Sequence, residues 1–174
     1  MRRIAIHFVT CGSACYNLPM AIEIERKFLV LNDSWKHQAD GGTEMSQGYL
    51  STDPASSVRV RITKDTAFLN IKSAASTIRR LEYEYAIPLA DAREILAQLC
   101  QGKAVEKTRY LVKQPPHVWE IDVFSGENQG LVVAEIELAD EEESFARPDW
   151  LGKEVSNDPR YLNMNLLKHP YRKW

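Results

Sequence analysis

Two acidic doublets of identical spacing, Glu23 with Glu25 and Glu135 with Glu137, bracket most of the patterned part of this sequence. On a β-strand residues two apart share a face, so each doublet can close on one hard cation. All-carboxylate ligation of that kind suits Mg²⁺ or Mn²⁺, one or two ions, better than zinc, which prefers His and Cys. Basic residues repeat at the same spacing between the doublets. Arg59 and Arg61 form one pair, and Lys107 and Arg109 another. Lys27, Lys72 and Arg80 stand at alternate positions in their own segments. Glu82 and Glu84 follow Arg80 on one face, and Glu120 and Asp122 extend the late acidic rows. Guanidinium is the donor suited to bidentate contact with phosphate. A polyphosphate with its cations matches both sets: the basic rows take phosphate oxygens, the acidic rows take the cation, and the cation bridges the two.

The elements that must position these rows are short runs with period-2 alternation separated by turn signals, which is the pattern of an antiparallel sheet or barrel. Strands are expected over 21–30, 45–52, 57–64, 66–74, 79–88, 105–113, 117–124 and 131–139. Turns are expected at Asp53-Pro54, Lys64-Asp65, Pro115-Pro116 and 125–130. A helix is expected over 89–101, with Ile95, Leu96 and Leu99 on one face, and a second over about 160–168. The fold class is therefore α+β, mainly β: an eight-stranded antiparallel barrel with flanking helices.

Opposite in parity to the charges lies an apolar row that includes Ile24, Phe28, Val60, Ile71, Tyr83, Ile121 and Ile136. Periodicity alone does not say which row faces inward, and polar-out is the usual arrangement of half-buried strands. Three details favour charges inside. Like charges are gathered strand by strand, whereas a solubilising surface mixes signs. Arg dominates the third strand, and the acidic doublets recur on the first and last. Charges buried without partners or ligands cost several kcal/mol each, so an interior of this kind calls for an anionic guest with cations.

The 174 residues are one domain's worth, with 44% hydrophobic and 26% charged residues, an ordinary globular composition. The net charge of −2 argues against a general nucleic-acid binder. Cys11, Cys15 and Cys100 lack zinc-like spacing and are too few for a disulfide scaffold, which fits a reducing cytoplasm. Residues 1–19 read as an extension preceding a domain that opens at Met20. Their apolar run holds His7 and Thr10 and is too short to span a bilayer, so no membrane partner is expected. The acidic run at 140–143 reads as a solvated loop.

E-I-E-R-K at 23–27 resembles the ExExK signature of the CYTH superfamily, the triphosphate tunnel metalloenzymes. The resemblance continues in order through R-V-R at 59–61, N-I-K at 70–72, E-Y-E at 82–84, K-T-R-Y at 107–110, E-I-D at 120–122, E-I-E at 135–137 and G-K-E-V-S at 152–156. It implies an eight-stranded tunnel over roughly 21–165. It implies metal-holding roles for Glu23, Glu25, Glu135 and Glu137, with Asp122 as a further acid. Triphosphate contacts are implied for Lys27, Arg59, Arg61, Lys72 and Arg109. Arg80, Glu82, Glu84 and Lys107 are carried over too, with exterior ion pairing as the alternative. Lys153 lies near the C-terminal motif, where a Lys153-Glu154 surface pair is the alternative.

The implied reaction is metal-assisted attack of water on a terminal phosphoryl group. The general base is a late-strand carboxylate such as Glu137, or Lys27 with a depressed pKa beside Tyr49, which otherwise is a strand aromatic. Among the family's substrates the short chain favours inorganic tripolyphosphate, as in a bacterial inorganic triphosphatase. The alternatives are a thiamine triphosphatase, a class IV-type adenylyl cyclase, a non-catalytic polyphosphate-binding module, and a structural barrel with its charges outside. Family members often pair, so a homodimer is possible.

Overall fold

The structure, a computed structural model, describes residues 22–53, 55–73 and 78–174. The expected extension at 1–19, the domain start at Met20, the strand ends at Ala21 and Ala74 and the turn position Pro54 lie outside them. The strands are β1 (Ile22–Val30), β2 (Thr43–Thr52), β3 (Ser56–Thr63), β4 (Thr66–Ser73), β5 (Arg79–Ala86), β6 (Val105–Gln114), β7 (His117–Phe124), β8 (Val132–Glu137) and β9 (Leu151–Glu154). The first eight match the expected strands with small shifts at their ends.

Each strand is antiparallel to its neighbours in the order β5-β4-β3-β2-β6-β7-β8-β1, and a β1–β5 pairing closes the ring. The closing pairing is short, covering only Ile22–Ile24 of β1, so the ring is joined along part of that edge. β9 is an addition that the sequence reading does not contain, because its four residues, Leu-Gly-Lys-Glu, carry no alternation to read. It pairs with β1 at Phe28 and Val30, on the edge that β5 occupies only at Ile22–Ile24.

The barrel is inverted relative to the usual arrangement: the charged rows point inward and the apolar rows are covered from outside. Helix α1 (Leu89–Gln98) closes over the outer faces of β3 and β4, where Ile95 and Leu96 pack against Val60, Ala67 and Ala92. Gly48 lets the helix come this close, since a Cβ there would lie 2.7 Å from Cys100 Sγ and 2.8 Å from a Leu96 methyl. Leu99, expected on the packed face, instead ends the helix and is exposed, because the helix stops before 101.

A second apolar layer covers β1, β7 and β8. A 3-10 segment, Asp33–Gln38, contributes Trp35, and the stretch before β9 contributes Phe145 and Trp150. Phe28, Trp119, Phe145 and Trp150 stack edge to face with centroids 5.4–5.9 Å apart, the orientation favoured by ring quadrupoles.

The inward rows also change character along their length. Past Lys27, Lys107, Asp122 and Glu135 the residues of the same parity are Leu29, Val105, Phe124 and Val133. These pack with Val155, Tyr161 and Leu166. One end of the tunnel is thus closed by an apolar plug against the C-terminal segment. That segment is a 3-10 turn, Pro159–Tyr161, and a helix α2 (Asn163–Lys168), separated by extended backbone at Leu162, rather than one helix over 160–168.

Candidate active site

Strand register decides which inward charges meet. Glu23 faces Arg80 across β1–β5, Lys27 faces Glu135 across β1–β8, Lys72 faces Glu82 across β4–β5, and Arg109 faces Asp122 across β6–β7. The space between the rows is a cavity of about 1240 Å³ lined by Glu23, Glu25, Lys27, Tyr49, Arg59, Arg61, Lys72, Arg80, Glu82, Glu84, Lys107, Arg109, Glu135 and Glu137. The pairings are close. Lys72 Nζ lies 3.0 Å from Glu23 and 2.6 Å from Glu82. Arg80 reaches Glu23 at 2.8 Å and Glu25 at 3.3 Å, and Lys27 Nζ is 2.6 Å from Glu135. Arg61 pairs with Glu84 at 2.7 Å. Arg109 gathers Asp122 at 2.7 Å and Glu135 at 2.6 Å and also meets Glu120, while Lys107 pairs with Asp122.

Two expected site residues are not on the cavity wall. Asp122 is fully buried behind it, held by Lys107 and Arg109, so it is spent on orienting bases. Lys153 is exposed on β9, and the neighbouring Glu154 pairs with Arg26 at a Nε–Oε1 distance of 2.8 Å, not with Lys153. Exterior ion pairing is likewise not what Arg80, Glu82, Glu84 and Lys107 do, since all four line the cavity.

Glu120 lines the cavity and was readable from E-I-D, whose two acids share a face. His117, Asp53, Ser57 and the α2 residues Asn163, Asn165 and Lys168 also line it. No spacing rule marks them, because they arrive from strand ends and from a distant helix.

The network sets the protonation states. Burial opposes the charge on Lys27, but Glu135 and Glu25 outweigh it and hold the ammonium above the usual lysine range. The depressed pKa required of Lys27 as a base is therefore corrected: in this network it is a firmly charged cation. Burial, reinforced by Arg109, lowers Lys107. Burial raises the Tyr49 phenol, which suits a hydrogen-bond donor and not a base. Glu135, despite burial, is held well below the carboxylate range by Lys27, Arg109 and Lys107.

Glu137 behaves oppositely. It makes no ion pair among the described residues; although its residue is exposed at the end of β8, the cavity wall shields the carboxyl in part, and this together with the negative charges of Glu23, Glu25 and Glu82 pushes it up. Glu120 is also raised, chiefly by burial. Glu137 stands opposite Glu25 and has no ion-pair partner among the described residues, because the nearby cations Lys72 and Arg80 are taken by Glu23 and Glu25. Among the described residues no three acids converge tightly enough to form a ready metal cluster, since Glu23 and Glu25 are drawn toward Lys72 and Arg80. The donor chemistry still fits a hard divalent ion, because a positive charge beside Glu137, Glu23 and Glu25 would relieve the repulsion that raises the carboxyl.

The comparisons with known proteins follow the same lines. The sequence model of the CYTH domain matches residues 21–171. An inorganic triphosphatase of Acetivibrio thermocellus is 50% identical over 153 residues, 88% of this chain and 97% of that protein. An inorganic triphosphatase of Nitrosomonas europaea is 38% identical over 151 residues, 83% of this chain and 95% of that protein. A crystal structure of an inorganic triphosphatase superposes with a TM-score of 0.59 at 37% identity, covering 83% of this chain and 93% of that one. A Hippeastrum protein described as having a dominant triphosphatase activity shares the fold at 13% identity, with a TM-score of 0.56 over 69% of this chain and 81% of its own.

Proposed function

The chain belongs to the CYTH domain family, and from that premise we propose that it hydrolyses a triphosphate, inorganic tripolyphosphate to pyrophosphate and orthophosphate, inside the charged barrel. The observation that carries the reading is the inward wall itself, on which Lys27, Arg59, Arg61, Lys72, Arg80, Lys107 and Arg109 all face one cavity. Such a constellation has no use in a barrel that needs only to fold, because each cation must be compensated.

Arg59 and Arg61 grip phosphate oxygens from β3, with Lys72 and Arg80 on one side and Lys107 and Arg109 on the other. Lys27 contributes a fixed positive charge from β1. Together they neutralise charge as it spreads over the equatorial oxygens of the transferring phosphoryl group, and they hold it in line for attack by water. Glu23, Glu25 and Glu137 are the residues that would hold Mg²⁺ or Mn²⁺, one or two ions, which would supply Lewis-acid chemistry to the phosphoryl group. Glu135 serves mainly to fix Lys27 and Arg109. The proton of the attacking water goes to a carboxylate oxygen of Glu137, which faces the cavity and has no ion-pair partner among the described residues to compete for it.

The proposal extends to a cytoplasmic protein, on the ground of its cysteine usage, and to a homodimer, supported by Tyr83 and Tyr85 exposed side by side on the outer face of β5. No helix among the described residues is long and apolar enough to cross a membrane. The deciding experiment is product analysis from tripolyphosphate, ATP and thiamine triphosphate with Mg²⁺ or Mn²⁺. Orthophosphate with pyrophosphate from tripolyphosphate, at the highest kcat/KM of the three, is expected. Cyclic nucleotide from ATP would instead identify a cyclase, and tight binding without turnover under any divalent ion a non-catalytic binder.

A further inference from the structure

The edge of β1 opposite β8 is shared by two strands that do not meet. β5 pairs with Ile22–Ile24 and Ile78 O accepts from Glu25 N at 2.9 Å, whereas β9 begins its pairing only at Phe28. Lys27 falls in the gap, so neither neighbouring strand supplies a regular ladder partner for its backbone on that side. A buried N–H cannot be left unpaired cheaply. The residues just after β9 meet the need. Val155 N donates to Lys27 O at 2.8 Å, and Ser156 Oγ accepts from Lys27 N at 2.9 Å.

The hydroxyl is itself oriented. Ser156 Oγ donates to Glu154 Oε1 at 2.8 Å, and that carboxylate is held in turn by Arg26 Nε at 2.8 Å. Ser156 is buried, lies outside the main cavity, and lines a small pocket behind Lys27. The chain Arg26, Glu154, Ser156 and the Lys27 amide therefore fixes the backbone from which the Lys27 ammonium reaches Glu135 at 2.6 Å.

We propose that Ser156 is a positioning residue for Lys27: its hydroxyl closes the seam between β5 and β9 at the residue that presents the ammonium to the triphosphate. The proposal rests on the reading that Lys27 contacts that substrate. A serine hydroxyl suits the place because it accepts from the amide while donating onward, which a backbone carbonyl cannot do.

The test compares Ser156→Ala, Ser156→Thr, Lys27→Met and the Ser156→Ala/Lys27→Met double variant of the full chain. It reads kcat, KM and, without divalent metal, the Kd for tripolyphosphate, so that an inactive variant still reports. Thermal unfolding checks that each variant is folded. Ser156→Ala should weaken tripolyphosphate binding and lower kcat/KM by about fivefold, the worth of one buried hydrogen bond, and Ser156→Thr should restore both. In the Lys27→Met background Ser156→Ala should change Kd by less than about twofold, since the side chain it positions is gone. An undiminished Ser156→Ala effect in that background, or no effect in the parent, overturns the proposal while leaving the Lys27 reading intact. Lys27→Met with unchanged Kd and kcat/KM overturns the Lys27 reading, and this inference with it.

Discussion

Glu25 and Glu137 stand directly opposite each other in the β1–β8 ladder, two carboxylates on the cavity face of neighbouring strands. Like charges placed so are destabilising, and Glu137 has no cationic partner among the described residues to offset them. A position that weakens the fold while serving the site is the expected signature of a functional residue.

Substituting Glu137→Gln should therefore stabilise the metal-free protein while lowering turnover. The carboxyl is raised in the folded state by partial shielding at the cavity wall and by Glu23, Glu25 and Glu82, an effect that solvent screening keeps small at this exposed position. Its ionisation thus begins to cost stability above the unfolded carboxyl pKa of about 4.3, and the cost is complete only above the raised folded value. The gain from Gln should be about 0.5 kcal/mol at pH 7 and should vanish near pH 3, measured by urea unfolding at the two pH values.

Glu135 predicts the reverse. Lys27 and Arg109 hold its carboxyl well below the usual range in spite of burial, so its contribution is present above the unfolded carboxyl pKa and is lost as pH falls through the depressed folded value. Glu135→Gln leaves two buried cations short of a partner and should cost about 3 kcal/mol at neutral pH. The difference from the parent should shrink steadily in unfolding experiments below about pH 4.

Affinity and metal dependence should separate between the two halves of the wall. Arg59→Ala removes a charge-assisted phosphate contact worth about 2 kcal/mol, so the tripolyphosphate Kd should rise about thirtyfold. The Mg²⁺ concentration giving half-maximal rate should change little. Glu23→Gln should shift that Mg²⁺ concentration upward by more than it shifts Kd, and chelation of divalent ions should abolish turnover in every variant. Identical metal titrations for both would remove the assignment of Glu23.

Gly48→Ala tests the outer layer. The added methyl would meet Cys100 Sγ and Leu96, forcing α1 away from β2 and β3. Overpacking of this sort should destabilise by about 1–3 kcal/mol. Tripolyphosphate Kd for the folded fraction should be unchanged, because no residue of α1 lines the cavity; a large Kd change would mean that α1 and the cavity are coupled.

Much of this protein is legible in the order of its residues. Alternation with period two yields eight strands, because a strand's faces alternate except where an irregularity interrupts them, as between Tyr49 and Ser51. The recurrence of Glu23/Glu25, Arg59/Arg61, Lys107/Arg109 and Glu135/Glu137 at that period names most of the cavity wall. What alternation cannot contain is direction: the same pattern describes a barrel with an apolar centre. Only the tertiary structure decides that Val60 lies under α1 and Ile136 under the aromatic layer, leaving Arg61 and Glu137 to face the cavity. The same holds for Ser156, whose hydroxyl meets Lys27 across 129 residues of chain. It holds too for the opposite pKa shifts of Glu135 and Glu137, which share a strand and a spacing. Local spacing sets which side chains share a face; register, closure and burial set which charges meet, and the electrostatics follow from those meetings.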